Sequence, residues 1–331
     1  MPLTEAQLAF RLTGVGSSEI GAIAGLTPPS YTRPIDVWAT KLGLATVAET
    51  EAMRWGTLME PVIAQAYAAQ HCAADEQLLM PSDVWPDTVD GTLRHSSEPW
   101  ILASPDRVVV TEADGCRTIT RLVEIKNVAS RSAHYWGDEN DDVPPWYRAQ
   151  IEWQMLVTGI DTCDIAALIG GSEFRVYRIH RDPEIAAMLV DAGRRFWRCV
   201  ETQEPPPIDG SESWRRHLET RFPKERQETI RATQEADDIA AALASSRGQL
   251  KTAKEEVSRR ENELRAFLGE SESVEGDDWR ATWKAPAKGA TKWKEVAMEL
   301  GAKSRLDVVA KHTGTPTRRL TFTWKGEDED E

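Results

Sequence analysis

The N-terminal part of the chain alternates between two hydrophobic patterns, one typical of helices and the other typical of strands. Apolar residues on one helical face, together with cap and proline signals, predict helices over about 20–26, 34–43, 57–70, 145–158 and 183–202. Short apolar runs bounded by turn residues predict strands over about 100–110, 118–128, 165–169 and 174–179. Strands interleaved with helices indicate a mixed α/β domain.

Turn and cap residues set the limits of several of these elements. Ser17 or Ser18 could cap the first helix, because a serine side chain can accept from the free backbone N–H groups there. Pro145 is well placed to begin a helix, since proline lacks an N–H that the first helical turn does not need. Turns over 112–115 and 170–173 each join two predicted strands, so we expect two β-hairpins.

The composition changes after this domain, which we assign to 1–206. Clustered prolines, followed by Asp-Gly-Ser, predict a linker over 207–223. The charged stretch 224–269 predicts one long helix; its seven-residue apolar repeat is incomplete, which favours a single packed helix over a strong coiled coil. Strand-like ends around a short helical segment predict a small α+β appendage over 270–331.

Composition and charge bound the function. Hydrophobic residues make up 40% of the 331 residues and charged residues 28%, which is typical of a globular protein. The sequence shows neither a long apolar span nor a secretory signal, so we expect a cytoplasmic protein. The net charge of -14 counts against a strongly basic nucleic-acid clamp, although it does not exclude a local basic groove. The four cysteines form no CxxC pair, which argues against a zinc or iron–sulfur site.

Two acids and a lysine form the candidate chemical site. Asp106 lies on one predicted strand, and Glu124 and Lys126 lie on its hairpin partner with Ile125 between them. Side chains alternate along a strand, so Glu124 and Lys126 share a face, and the hairpin would bring Asp106 beside Glu124. Two carboxylates and the Ile125 carbonyl would make part of a magnesium site, and Glu60 could add a further carboxylate. A surface ion pair is the alternative, but the apolar neighbours of both strands argue against it.

The spacing of Pro-Asp and Glu-Ile-Lys is the signature of PD-(D/E)xK nucleases. The surrounding segments resemble the YqaJ-type viral recombinases, relatives of the phage lambda-type exonucleases. The similar segments occur in family order at 14–26, 53–67, 102–106, 122–127, 144–161 and 167–182. The resemblance implies an α/β nuclease core, a mixed central sheet flanked by helices, to which this chain adds the long helix and the appendage.

The resemblance also implies a role for each matching residue. The implied metal ligands are Asp106, Glu124, the Ile125 carbonyl and Glu60, with Mg²⁺ as the expected ion and Mn²⁺ as a substitute. Lys126 is implied to be the catalytic lysine and Gln150 to lie near the reacting phosphate. Ser18 is implied to bind a 5′ phosphate, assisted by Arg11. Tyr147 and Gln154 lie one helical turn before and after Gln150, so we expect them on the same substrate-facing side.

Together these residues predict a magnesium-dependent exonuclease that acts on double-stranded DNA ends, and the resemblance implies 5′-to-3′ polarity. The family implies recombination beside a single-strand annealing protein and a homo-oligomer. Two alternatives stay open, an inactive DNA-end-binding scaffold and an endonuclease that uses the same site. Trp136 and Trp146 could stack on bases, but core packing is the favoured interpretation because tryptophan is usually buried.

Overall fold

The computed structural model describes residues 5–46, 49–89 and 91–284, together with the single positions 297 and 305. The chain divides into two compact units, Met1–Leu218 and Glu219–Glu331. Among the described residues, no helix combines the length and the apolar character that crossing a membrane requires.

The first unit contains the predicted mixture of helices and strands. Its helices are α1 (Glu5–Arg11), α2 (Ser17–Ile23), α3 (Pro34–Lys41), α4 (Glu51–His71), α5 (Pro81–Val84), α6 (Pro145–Thr158) and α7 (Pro183–Glu201), with a 3-10 helix over Ser130–Tyr135. Its strands are β1 (Val15–Gly16), β2 (Glu76–Leu79), β3 (Leu93–Arg94), β4 (Ile101–Ala103), β5 (Arg107–Ala113), β6 (Cys116–Val128), β7 (Thr162–Ile169) and β8 (Glu173–His180). Helix α8 (Glu212–Arg221) crosses the boundary between the units.

The main sheet has five strands in the order β2-β5-β6-β7-β8. Strands β6 and β7 are parallel, and the other neighbours are antiparallel, so the sheet is mixed. Successive residues of β6 point to opposite faces of the sheet. Leu122 packs with Ile151 and Met155 of α6, whereas Val123 packs with Ile63 of α4. Helices therefore cover both faces of the sheet, and the predicted α/β fold class is confirmed.

The predicted strand over 100–110 is instead two strands in two sheets. Strand β4 pairs with β1 and β3, whereas β5 joins the main sheet. The break falls at 104–106, where Pro105 has no N–H to donate to a ladder. The chain therefore leaves one sheet and enters the other beside Asp106.

The helix predictions are confirmed for α3, α6 and α7, whereas two helix starts need correction. Helix α4 begins at Glu51, where Thr50 accepts from the Met53 N–H, and not near residue 57. Neither Ser17 nor Ser18 caps α2. Gly16 precedes the helix, and its N–H donates to the Glu19 carboxylate at 2.7 Å.

The segment predicted as a linker, 207–223, contains α8. Trp214 of this helix is buried in the core of the first unit, and its Nε1 donates to the Pro207 carbonyl at 3.1 Å. The prolines end regular structure here, but the segment that follows is still packed on the first unit, because Trp214 is buried in its hydrophobic core.

The second unit contains the predicted long helix. Helix α9 spans Gln234–Leu268 and is capped by the Thr233 hydroxyl, ten residues later than predicted. Strands β9 (Ser273–Glu275) and β10 (Arg280–Thr282) form an antiparallel pair. The short helix and the second strand predicted for the appendage, near 294–300 and 318–325, lie outside the described residues apart from position 297.

Candidate active site

Asp106 and the Glu124 strand are joined by a direct hydrogen bond. The N–H of Ile125 donates to Asp106 Oδ2 at 2.8 Å. This contact follows from the chain leaving β4 at Pro105, because β5 then pairs with β6 from Arg107, which lies opposite Val123. The structure thus brings together the two carboxylates that the sequence placed on neighbouring strands.

Glu124 is almost fully buried, at 2% exposure, and three side chains neutralise or satisfy it. The Lys126 ammonium is hydrogen-bonded to Glu124 Oε1. Gln150 Nε2 donates to the same oxygen at 2.5 Å, and Gln154 Nε2 donates to Oε2 at 2.8 Å. Because β6 alternates its side chains, Glu124 and Lys126 share one face, as the sequence predicted, and that face lies toward α6.

The buried charges perturb the acid–base properties of the site. Burial, reinforced by the negative charges of Glu124 and Glu60, raises the pKa of Asp106 to about 8, although Lys126 and the Ile125 N–H oppose the shift. Burial alone would lower the pKa of Lys126, but the attraction of Glu124 and other neighbours raises it above its usual value. At neutral pH Lys126 is therefore an ammonium group, and it lies 4.6 Å from the centre of the Tyr147 ring.

These residues open onto a cavity of about 910 Å³. The cavity is lined by Asp106, Glu124, Ile125, Lys126, Gln150, Tyr147, Glu60, Ser18 and Arg11. Glu60 reaches it from α4, and its carboxylate accepts from Arg107 Nη1 at 2.6 Å. Nearly all of the predicted site residues therefore share one cavity.

Ser18 and Arg11 form a second polar group within the cavity wall. Arg11 Nη2 donates to Ser18 Oγ at 2.8 Å. Lys41, whose side chain is 1% exposed, donates to the Arg11 carbonyl at 2.6 Å and forms an ion pair with Glu19 at 2.8 Å. Because Lys41 offsets the Glu19 charge, Arg11 gives this group of side chains a net positive charge in the cavity wall.

Gln154 requires a correction. It has no exposed surface and does not line the cavity, so it cannot contact substrate in this structure, and its amide supports Glu124 instead. Trp136 is buried in the core beneath Tyr147, as the favoured interpretation held. Arg107 and Lys41 were not predicted, because their contacts join residues far apart in the chain and leave no local signal in the sequence.

The donor set fits a hard divalent cation. Asp106 and Glu124 supply two carboxylates, and Mg²⁺ is usually held by one or two carboxylates with water and substrate oxygens completing its shell. Burial and the nearby Glu124 charge raise the pKa of Asp106, so a bound cation would favour its carboxylate form. Glu60 is bound to Arg107, and no group of three acidic, histidine or cysteine side chains in the described ranges is arranged to hold a metal. The roles of Glu60 and the Ile125 carbonyl as ligands stay predictions.

Comparisons with known proteins agree with the sequence motifs. Residues 7–161 match the family model of the YqaJ-like viral recombinase domain. The chain is 26% identical to YqaJ of Bacillus subtilis (strain 168) over 289 residues, which cover 84% of this chain and 82% of that protein. Among solved structures, an alkaline exonuclease (LHK-Exo) from Laribacter hongkongensis is 23% identical, with a TM-score of 0.45, covering 61% of this chain and 94% of that one. A phage-related exonuclease from Haemophilus somnus 129PT is 12% identical, with a TM-score of 0.39, covering 57% and 96%.

Proposed function

From the match of residues 7–161 to the model of the YqaJ-like viral recombinase domain, we propose that the protein is a magnesium-dependent exonuclease of double-stranded DNA ends. One observation carries the proposal: Asp106 and Glu124, linked through the Ile125 N–H, share a cavity with an ammonium group, Lys126. Two hard carboxylates beside a fixed cation suit the hydrolysis of a phosphodiester.

Each side chain has a role that its contacts support. Bound at Asp106 and Glu124, Mg²⁺ or Mn²⁺ would act as a Lewis acid toward the phosphate. Lys126 would stabilise the negative charge that grows on the phosphoryl oxygens during attack. Gln150 holds both Glu124 and Lys126, at 2.5 and 3.3 Å, and so fixes their relative positions.

The proposed polarity of digestion rests on Arg11 and Ser18. Arg11 and Ser18 would bind a terminal 5′ phosphate, which gives 5′-to-3′ polarity and leaves a 3′ single strand. We further propose that the enzyme works as a homo-oligomer beside a single-strand annealing protein, in the cytoplasm of a bacterial or phage-infected cell. A gel-filtration profile and a pull-down with the annealing protein test these two associations.

A plasmid assay with Mg²⁺ tests the activity. Linear duplex should be digested while closed circular plasmid survives. Cutting of the circles would instead support the endonuclease, and no cutting of either form would support the inactive end-binding scaffold. Ends with a 5′ phosphate should be degraded faster than ends with a 5′ hydroxyl.

Substitutions in the site test the mechanism. Glu124→Gln and Lys126→Met should each abolish digestion, because the first weakens the carboxylate pair and the second removes the ammonium charge. Arg117→Met is the matched control, since Arg117 is an exposed basic residue on the same strand outside the cavity. Circular dichroism should show that all three variants are folded. Wild-type digestion by either site variant would refute the mechanism.

A further inference from the structure

Tyr31 is a partly exposed aromatic residue in the wall of the catalytic cavity. It lies in the loop between α2 and α3, and 41% of its surface is exposed. Its N–H donates to the Pro28 carbonyl at 3.0 Å, and Thr27 Oγ1 donates to the Thr32 carbonyl at 3.0 Å. These bonds order the backbone on both sides of Tyr31, whose side chain lines the cavity.

The Tyr31 ring rests on a rigid support. Its centre lies 5.7 Å from that of Trp146, and Tyr135 meets Trp146 edge-on at 5.0 Å. The Trp146 backbone packs so closely on α2 that a Cβ added at Gly21 would lie 2.8 Å from Trp146 Cβ. The close packing against α2 leaves the Trp146 backbone no room to move toward that helix.

Helix α6 fixes the distance between this aromatic pair and the catalytic group. Trp146 and Gln150 are four residues apart, so they lie on the same helical face about 6 Å apart along the axis. Gln150 in turn holds Glu124 and Lys126. The aromatic surface thus begins one helical turn from the groups that would bind the phosphate.

The positive charges in the cavity indicate which class of ligand suits the aromatic surface of Tyr31 and Trp146. Arg11, Lys126 and Arg131 line the same cavity, and Arg131 is exposed, with no hydrogen-bond or ion-pair partner among the residues that the structure describes. Cationic groups for phosphates next to a flat aromatic surface suit one ligand class, a nucleotide, because bases stack on aromatic rings. An apolar protein segment would leave these cations unused.

Building on the proposed exonuclease function, we propose that Tyr31, supported by Trp146, stacks on the base of the terminal nucleotide about to be removed. Stacking does not distinguish one base from another, which suits an enzyme that removes every nucleotide in turn. Tyr31 therefore positions the end of the strand, while Asp106, Glu124 and Lys126 act on its phosphate.

Fluorescence of 2-aminopurine tests this subsite. A 5′-phosphorylated duplex carries 2-aminopurine at its 5′ end and a second dye at its far end, with Ca²⁺ in place of Mg²⁺. Wild-type protein should quench the 2-aminopurine, and Tyr31→Ala should lose the quenching and bind about 5- to 150-fold more weakly. Tyr31→Phe should resemble wild type because it keeps the ring. Tyr135→Ala is the matched control, because Tyr135 also touches Trp146 but does not line the cavity.

A duplex with an abasic 5′ nucleotide separates stacking from a structural effect. Wild type and Tyr31→Ala should bind it equally, since no base remains to stack. A persistent difference, or unchanged quenching in Tyr31→Ala, would overturn the subsite. The anisotropy of the far-end dye reports binding independently: if wild type does not bind any DNA end, the exonuclease proposal itself fails, whereas binding without Tyr31-dependent quenching refutes only the subsite.

Discussion

Replacing Arg121 should destabilise the first unit by about 3 kcal/mol. This side chain is 8% exposed and lies on the face of β6 opposite Glu124, in a network of buried polar groups. It binds Glu76 at 2.5 Å and Asp164 at 3.1 Å, and its Nε donates to the Tyr67 hydroxyl at 2.8 Å. Removing one partner from a buried ion pair costs about 3–5 kcal/mol, because the remaining charge stays buried.

The pKa of Glu76 gives an independent magnitude. Hydrogen bonds from Arg121 lower this pKa from 4.5 to about 2, and the Glu76 side chain is only 14% exposed. A shift of that size corresponds to about 3 kcal/mol. Asp164 has no exposed surface, but Arg178 also binds it at 2.8 Å, so we expect the lower end of the mutational range for Arg121→Met.

Urea unfolding followed by circular dichroism measures the effect, with Arg195→Ala as control. Arg195 pairs with Asp191 at the surface, both more than 60% exposed, so its loss should cost less than about 1 kcal/mol. Because the folded-state pKa of Glu76 is lowered, the stabilisation is present above pH 4.5 and is lost as the pH falls toward 2. The difference between wild type and Arg121→Met should therefore shrink over that window. A constant difference, or one below 1 kcal/mol at pH 7, would refute the reasoning.

Three further predictions concern residues of the candidate active site and the side chains that support them. Gln154→Leu should lower kcat about tenfold with little change in KM for DNA, because Gln154 orients the implied metal ligand Glu124 without touching substrate; steady-state digestion measures this. Lys41→Met should reduce the preference for 5′-phosphorylated over 5′-hydroxyl ends, whereas an effect on both ends alike would mean that Lys41 only stabilises the fold; Lys41→Arg should restore the preference. Mg²⁺ affinity should rise with pH up to about 8, because below that pH the Asp106 carboxyl of the metal-free protein holds a proton that the cation must displace. Calorimetry in buffers of different ionisation enthalpy should detect that proton, and Asp106→Asn should not release it.

The sequence predicted the shared face of Glu124 and Lys126 because strand alternation is local and has a fixed period of two. It did not predict the depth of a residue on a helix. Gln150 and Gln154 share one side of α6 by their spacing, yet only Gln150 reaches the cavity, since Gln154 lies one turn further into the core. Helical periodicity predicts which side of the helix a side chain points to. Whether that side chain is buried depends on which other segments of the fold pack against its turn.

Contacts between distant segments account for the other differences. The link between Arg107 and Glu60 joins residues 47 apart, and the Lys41 contact with the Arg11 carbonyl joins residues 30 apart. The prolines before 208 suggested a free linker, but Trp214 finds a hydrophobic surface in the first unit. Local composition cannot reveal a partner that the tertiary fold supplies.

The charges at the candidate site suit the binding of a cation, and burying the Asp106 carboxyl without a basic partner of its own costs stability. Glu124 is buried, but three donor side chains satisfy it. Asp106 accepts one backbone N–H, and burial together with the negative charges of Glu124 and Glu60 raises its pKa to about 8. A structural network would have placed a second basic group there, as Arg121 and Arg178 both bind Asp164 on the opposite face of the sheet. The sheet thus carries one acid that is fully compensated and one that is not, and the uncompensated acid is the one that opens onto the cavity.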